Sequence, residues 1–342
     1  MRTPLNWVWA LLAIFGIAAG ASGQDQSLSI NGPILGFVQD STGTAIQPIL
    51  GVLGASLIGR PLDLGSEIHT AVISPKQNYA LAVRTDTSEL VMIWLDGRPA
   101  PLLSVDGVRA GADVVVISPI GTAAAIYKED SKIVQSMTGL ADAPRVLSEI
   151  DVSDFPGRLQ TMAISDDGTL ALLNFVSGDD AALWAVNSSG FRWLVPAQHP
   201  SAASFLANRH DALIADDGAQ EVFLMRSIDQ EAARMSVASF GDGFDAISGV
   251  AVSDDGSRVV VTSRKSENVT IVDLETTLSN AFPCHCSATG VRPLKGASVF
   301  RLSDPSDGPV ALLDASASEP RIIVLPAAPS VPAVTIGEEA QK

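Results

Sequence analysis

ISGVAVSDDGSRVVVTSRKSENVTIVDL, running from Ile247 to Leu274, holds three short runs rich in Val, Ile and Thr: Ile247–Val252, Arg258–Thr262 and Asn268–Leu274. Branched side chains suit the pleated surface of a strand. The link Ser253-Asp254-Asp255-Gly256-Ser257 is a hairpin turn, because Asp side chains bond nearby backbone N–H groups and glycine accepts a positive φ. The second link, Ser263–Glu267, is polar and charged, as a loop at a sheet end should be. The stretch therefore reads as a three-stranded antiparallel meander.

Working outward, the same pattern recurs. First strands begin near residues 69, 113, 159, 202, 247 and 297, a period of 43 to 50 residues with four strands in most units. That period and strand number are the signature of β-propeller blades, whose two apolar faces are buried only when blades stack around a ring. The last unit offers Ala297–Leu302, Val310–Leu313 and Arg321–Leu325 but no fourth strand. Near the start, Ile34–Val38 and Ala45–Leu50 form a hairpin, and Gly51–Leu64 reads as an irregular connector. Pairing that hairpin with the last unit closes a ring of six blades; seven result if the hairpin heads a separate, incomplete blade. The fold class expected is all-β, a propeller of four-stranded antiparallel blades closed by the N-terminal hairpin.

Arg258-Val259-Val260-Val261-Thr262-Ser263 followed by Asn268-Val269-Thr270-Ile271-Val272-Asp273-Leu274 resembles the YVTN-type propeller repeat of bacterial surface and periplasmic proteins. The Ser-Asp-Asp-Gly of residues 165–168 and 253–256 is similar to the Ser-Pro-Asp-Gly turn shared by YVTN and WD40-like repeats. No unit ends in Trp-Asp or opens with Gly-His, so the likeness departs from true WD40 repeats. The resemblance implies a fold and export from the cell. It carries no activity, since one fold hosts enzymes, lectins and scaffolds alike.

Residues 1–23 carry Arg2, an apolar run from Trp7 to Ala18 and small residues at Ala19–Gly23, the pattern of a cleavable signal peptide. The run is shorter than a membrane-spanning helix requires. A single domain over residues 26–328 is expected, with a disordered tail over 329–342. The formal net charge of −16 argues against binding nucleic acid or a membrane surface, whose phosphates it repels. A monomer, secreted or periplasmic, is expected.

Cys284-His285-Cys286 is the most conspicuous chemical cluster in a chain with two Cys and four His. An oxidising compartment favours a local Cys284–Cys286 bridge; free or intermolecular thiols and a soft-metal site are the alternatives. A zinc site wants four ligands, and no second Cys/His cluster exists. His69, His199 and His210 stand apart in sequence. Asp166, Asp167, Asp254 and Asp255 are explained by turn chemistry. Trp94 and Trp184 fall mid-strand and are core candidates, while Trp193 is a candidate surface platform. No nucleophile elbow, P-loop or dinucleotide fingerprint appears.

No catalytic residue, cofactor or metal is therefore expected. The expectation is a non-catalytic binding or scaffold module for another exported or envelope protein. Its candidate face is the set of loops between second and third strands, with Arg84 and Asp86, Asp179 and Asp180, and Arg264, Lys265 and Glu267. The competing expectation is a periplasmic hydrolase or lyase, acting on a glycan or peptide at the central channel. It needs titratable groups on the inner strands, which here read ISGVAV, LQTMAI and DVVVI.

Overall fold

In the computed structural model the valine-rich stretch forms strands Ile247–Val252, Arg258–Ser263 and Asn268–Asp273, and Ser279–Pro283 adds a fourth, all antiparallel and in chain order. Val259, Val260 and Val261 are each 0% exposed. Successive strand residues face opposite sides, so three buried valines in a row mean that the sheet is covered on both faces. The coverings are neighbouring sheets. Val259 and Val261 pack with Leu213, Leu224 and Val237 of the sheet before, and Val260 packs with Phe300, Leu302 and Leu313 of the sheet after.

Residues 32–326 are described, apart from 41–42, 96–101, 179, 243–244, 297, 305–307 and 317–318. The expected signal segment and C-terminal tail lie outside the described residues. Seven sheets, blades 1 to 7 in chain order, make a β-propeller. Their first strands are Ile34–Gln39, Ile68–Ile73, Val114–Ile117, Arg158–Ile164, Pro200–Phe205, Ile247–Val252 and Arg292–Pro293. These are the innermost, since first strands of successive blades pack on one another.

Seven blades replace the six expected from the sequence, for two reasons. Ala55–Ile58, inside the stretch read as a connector, pairs with Ile46–Val52 and completes a three-stranded blade 1 of its own. Blade 7 has a full set of strands, because Arg292–Pro293 supplies its first. The described N-terminal strands pair only among themselves, and blade 1 meets blade 7 face to face. Val38, Ile49 and Ile58 pack on Val299, Val310, Leu312 and Leu325.

A serine hydroxyl organises the first hairpin of several blades. Ser74, Ser118, Ser165 and Ser253 accept through Oγ from the backbone N–H five residues on, at 3.2, 3.1, 3.1 and 2.9 Å. The position three after the serine is left-handed: Gly121 (φ 74°), Gly168 (73°), Gly256 (72°) and, in blade 2, Gln77 (57°). A glutamine there carries strain that glycine avoids. Gln77 is 3% exposed, and its amide explains why it is tolerated. Its Oε1 accepts the Phe37 N–H of blade 1 at 2.7 Å, and its Nε2 donates to the Pro293 carbonyl of blade 7 at 2.9 Å. Lys295 N–H donates to Leu35 O at 3.0 Å across the same junction. One buried side chain thus clasps three blades.

Candidate functional site

Two ends of the ring differ in what holds them. At the end formed by the first hairpins, side chains lock one blade to the next. Asp166, in the turn of blade 4, accepts from Ile120 N–H of blade 3 at 2.9 Å and from Asn208 N–H of blade 5 at 2.7 Å. Thr122 Oγ donates to Asp166 O at 2.6 Å, and Tyr79 Oη donates to Gly121 O at 2.9 Å. Burial pushes the Tyr79 phenol up. Asp167 and Asp255 do the turn work expected of them, each bonding the serine two residues before, at 2.6 and 2.5 Å. Hydrogen bonds from Ser253 and Ser257 hold the Asp255 carboxyl down to about 2. Asp166 does something else, a bridge between blades that no local pattern announces.

His210 also spans blades here. One ring nitrogen meets Asp167 Oδ2 of blade 4 at 3.0 Å and the other meets Asp229 Oδ2 at 3.2 Å. Burial works to lower the His210 pKa, but the two carboxylates outweigh it and raise it. Burial likewise works to raise Asp167; hydrogen bonds from Ser165 and Thr169 with the His210 charge hold it down to about 2.

The opposite end carries the loops between second and third strands. Residues 85–89, 178 and 264–267 fall there in blades 2, 4 and 6, at equivalent positions between second and third strands. Arg84 ends a second strand and bonds Asp86 at 2.6 Å, with Glu89 at 3.9 Å. Arg264 and Glu267 are exposed. Lys265 is 71% exposed and 3.8 Å from Asp245. Asp180 starts a third strand, while Asp179 and the Asp180 side chain lie outside the described residues. Glu267, Ser88, Lys132 and Gln220 share a left-handed backbone just before the third strand, with φ of 50 to 58°.

The same end gathers a feature that sequence reading missed. Five of the innermost strands carry a register shift near their start, at the second residue in four and the third in blade 4, placing Leu35, His69, Gln160, Ser201 and Ser248 in comparable bulges. Bulges re-aim a side chain and recur beside functional sites. His69 is exposed on the innermost strand of blade 2. Gln160 Nε2 lies 2.9 Å from His199 Nε2. Thr161 Oγ donates to Pro200 O at 2.7 Å, tying two inner strands together, and Ser248 Oγ donates at 2.9 Å to Ala288 O in the segment that leads into blade 7. The inner strands are therefore not wholly apolar at their entry. Alternation alone hides this, because a bulge breaks the period of two.

Cys284 and Cys286 stand with their Cα atoms 5.1 Å apart and their sulfurs joined. His285 between them takes φ 51°. Among the described residues no group of three or more His, Cys, Asp or Glu side chains is placed to hold a metal ion. Of the tryptophans, Trp94 and Trp184 are half-buried, and Trp193 is 51% exposed on the outer strand of blade 4, two residues from Phe191 at 48%. Phe191 packs edge-on to Phe155 at 4.8 Å, and Phe155 in turn stacks on Phe175 at 5.0 Å.

No protein-family model and no curated protein matches the sequence. Solved structures do. A functionally unknown protein from Desulfotomaculum acetoxidans aligns with a TM-score of 0.59 at 16% identity, over 86% of this chain and 100% of its own. A provisionally assigned 6-phosphogluconolactonase from Bacteroides fragilis gives 0.58 at 13%, over 86% and 95%. A second such protein, from Bacteroides uniformis, gives 0.56 at 12%, over 86% and 96%. At these identities the likeness is one of architecture, and what it shows is the β-propeller fold.

Proposed function

We propose that the chain is an exported, non-catalytic propeller of the YVTN type that docks another exported or envelope protein. The docking face is the ring end bearing Arg84, Asp86, Asp179, Asp180, Arg264, Lys265 and Glu267. The observation that carries this reading is the gathering of charged second-to-third loops at one end of a rigid ring, with Lys265 71% exposed. Rigid scaffolds bearing exposed loops are where recognition concentrates. The face mixes basic with acidic groups, so a partner of complementary charge pattern finds its register there. The N-terminal apolar run and the Cys284–Cys286 bridge both fit an oxidising compartment outside the cytoplasm.

The test is cross-linking of full-length tagged protein in its native envelope, followed by mass spectrometry. The Arg84→Glu, Arg264→Glu, Lys265→Glu triple variant should lose a dominant cross-linked partner by about tenfold. An unchanged cross-link pattern sinks the assignment of this face. Fractionation of the same cells reads the export half of the proposal separately.

A second reading, an enzyme working at the mouth of the central channel, is favoured by one observation. His69 and the Gln160–His199 contact put titratable groups on or against inner strands. Turnover of a glycan or peptide that His69→Ala and His199→Ala abolish would establish it. Turnover unaffected by either substitution would remove it.

A further inference from the structure

The repeat supplies its own control for every position. In blades 2 to 6 the second strand carries Leu81, Ala125, Leu172, Leu213 and Val260 at one register, each 0% exposed in the core shared with the following blade. Opposite them on the first strands stand Val72, Val116, Ala163, Ser204 and Ala251. Blade 7 breaks the rule on both strands. Its pair at this register is Arg292 and Arg301.

Parity fixes where they point. Val299 packs toward blade 1 and Phe300 toward blade 6, so Arg301 faces blade 1. The core it meets there includes Val38, Ile49 and Ile58. The Arg301 side chain is 14% exposed; its Nη2 bonds Asp304 at 2.9 Å, and its enclosed Nη1 has no hydrogen-bond partner among the described residues. Asp304 is shared, because Thr289 Oγ donates to its other oxygen at 3.0 Å. Arg292 is exposed on the innermost strand and has no ion pair or side-chain hydrogen bond among the described residues. Like charges directly opposite on neighbouring strands repel. Burial pushes the Arg301 guanidinium down, Asp304 opposes that, and the charge of Arg292 adds to the lowering. Two opposed arginines at a register that other blades fill with small or aliphatic side chains, with one carboxylate on Arg301 and none on Arg292, leave a positive charge unanswered.

We propose that Arg292 and Arg301 form a binding site for a small-molecule oxyanion, a carboxylate or phosphoryl group, at the seam between blades 7 and 1 and open to the ring axis through Arg292. Guanidinium is the group suited to this, since its planar donors match the two oxygens of a carboxylate or phosphate. The site is separate from the loop face, so it stands or falls independently of the partner-docking reading. In a repeat whose other complete blades obey the local rule, the blade that breaks it is where function is expected.

The experiment is thermal unfolding of the full chain in inorganic phosphate or succinate, against chloride at matched ionic strength. Either anion should raise the wild-type Tm by about 3 °C when present at roughly tenfold over its dissociation constant. The larger shift names phosphoryl or carboxylate as the source. Arg292→Val with Arg301→Leu installs residues that blades 2 to 6 already carry at this register, and it should abolish the shift. If that double variant does not fold, Arg292→Ala alone, at an exposed position, should weaken binding about tenfold by calorimetry. No shift in the wild type beyond the chloride control, or an equal shift in wild type and variant, overturns the proposal.

Discussion

Blade 6 and blade 7 present the same strand to their next neighbours, one with Val260 and the other with Arg301. The first junction has an apolar core around Val260, Phe300, Leu302 and Leu313; the second mixes valine and leucine with the Arg301–Asp304 pair, Arg292 and the Gln77 clasp. A ring of near-identical blades has no need for identical joints. The lesson is that the joint between blades 1 and 7 adds polar contacts to an apolar core.

The largest effect should come from making the blade 6–7 junction resemble the seam. Val260→Arg buries an unpaired charge against Phe300 and Leu313, and should cost about 4 kcal/mol or more in denaturant melts. Next comes Gln77→Ala, which strands the Phe37 N–H and the Pro293 carbonyl. It should cost about 3 kcal/mol, and Gln77→Gly should lose less because it relieves the φ of 57°. Asp166→Ala tests an interior junction locked from the opposite principle, a carboxylate serving two backbone donors. It should cost about 2 kcal/mol by the same measurement. In the reverse direction, Arg301→Leu in anion-free buffer should stabilise the seam by about 1 kcal/mol.

The smallest effect is a pH dependence at the blade 4–5 junction. His210 has a raised pKa in the folded chain, so its contribution is complete below the unfolded value and is lost as pH rises through the folded one. Its partner Asp167, held down to about 2, contributes above the unfolded carboxylate value and loses that contribution as pH falls toward 2. Melting temperature should therefore decline slightly from pH 5.5 to 8.5, by less than about 1 kcal/mol in stability terms, and His210→Asn should flatten that decline.

The propeller was legible because its evidence is local and periodic. Val259–Val261 and the Asp-Asp-Gly turns announce strands and hairpins without reference to anything distant. What misled the blade count was equally local. Arg292–Pro293 is a strand of two residues with neither a branched side chain nor alternation, and Ala55–Ile58 sits among Gly51, Gly54 and Gly59, which punctuate it as loop. Taking the last first strand at residue 292 also tightens the period, to between 42 and 47 residues from blade 2 onward. The candidate face was legible as a set of equivalent loops. The bulges that bring His69 and Gln160 to the same end were not, since a bulge is a relation between two strands. Nor was Asp166, whose partners lie 46 and 42 residues away in other blades.

The Gln77 amide reaches a carbonyl 216 residues further along the chain. During synthesis, blades 1 and 2 emerge from the ribosome with that amide and the face of Val38 and Ile49 waiting for a partner made 216 residues after Gln77. Each blade can hairpin as it appears, because its contacts are short in sequence, but the circle gains its final junction only at the end. A nascent chain halted before Pro293 would be an arc with two sticky ends. Its natural hazard is to complete itself with the arc of a neighbour.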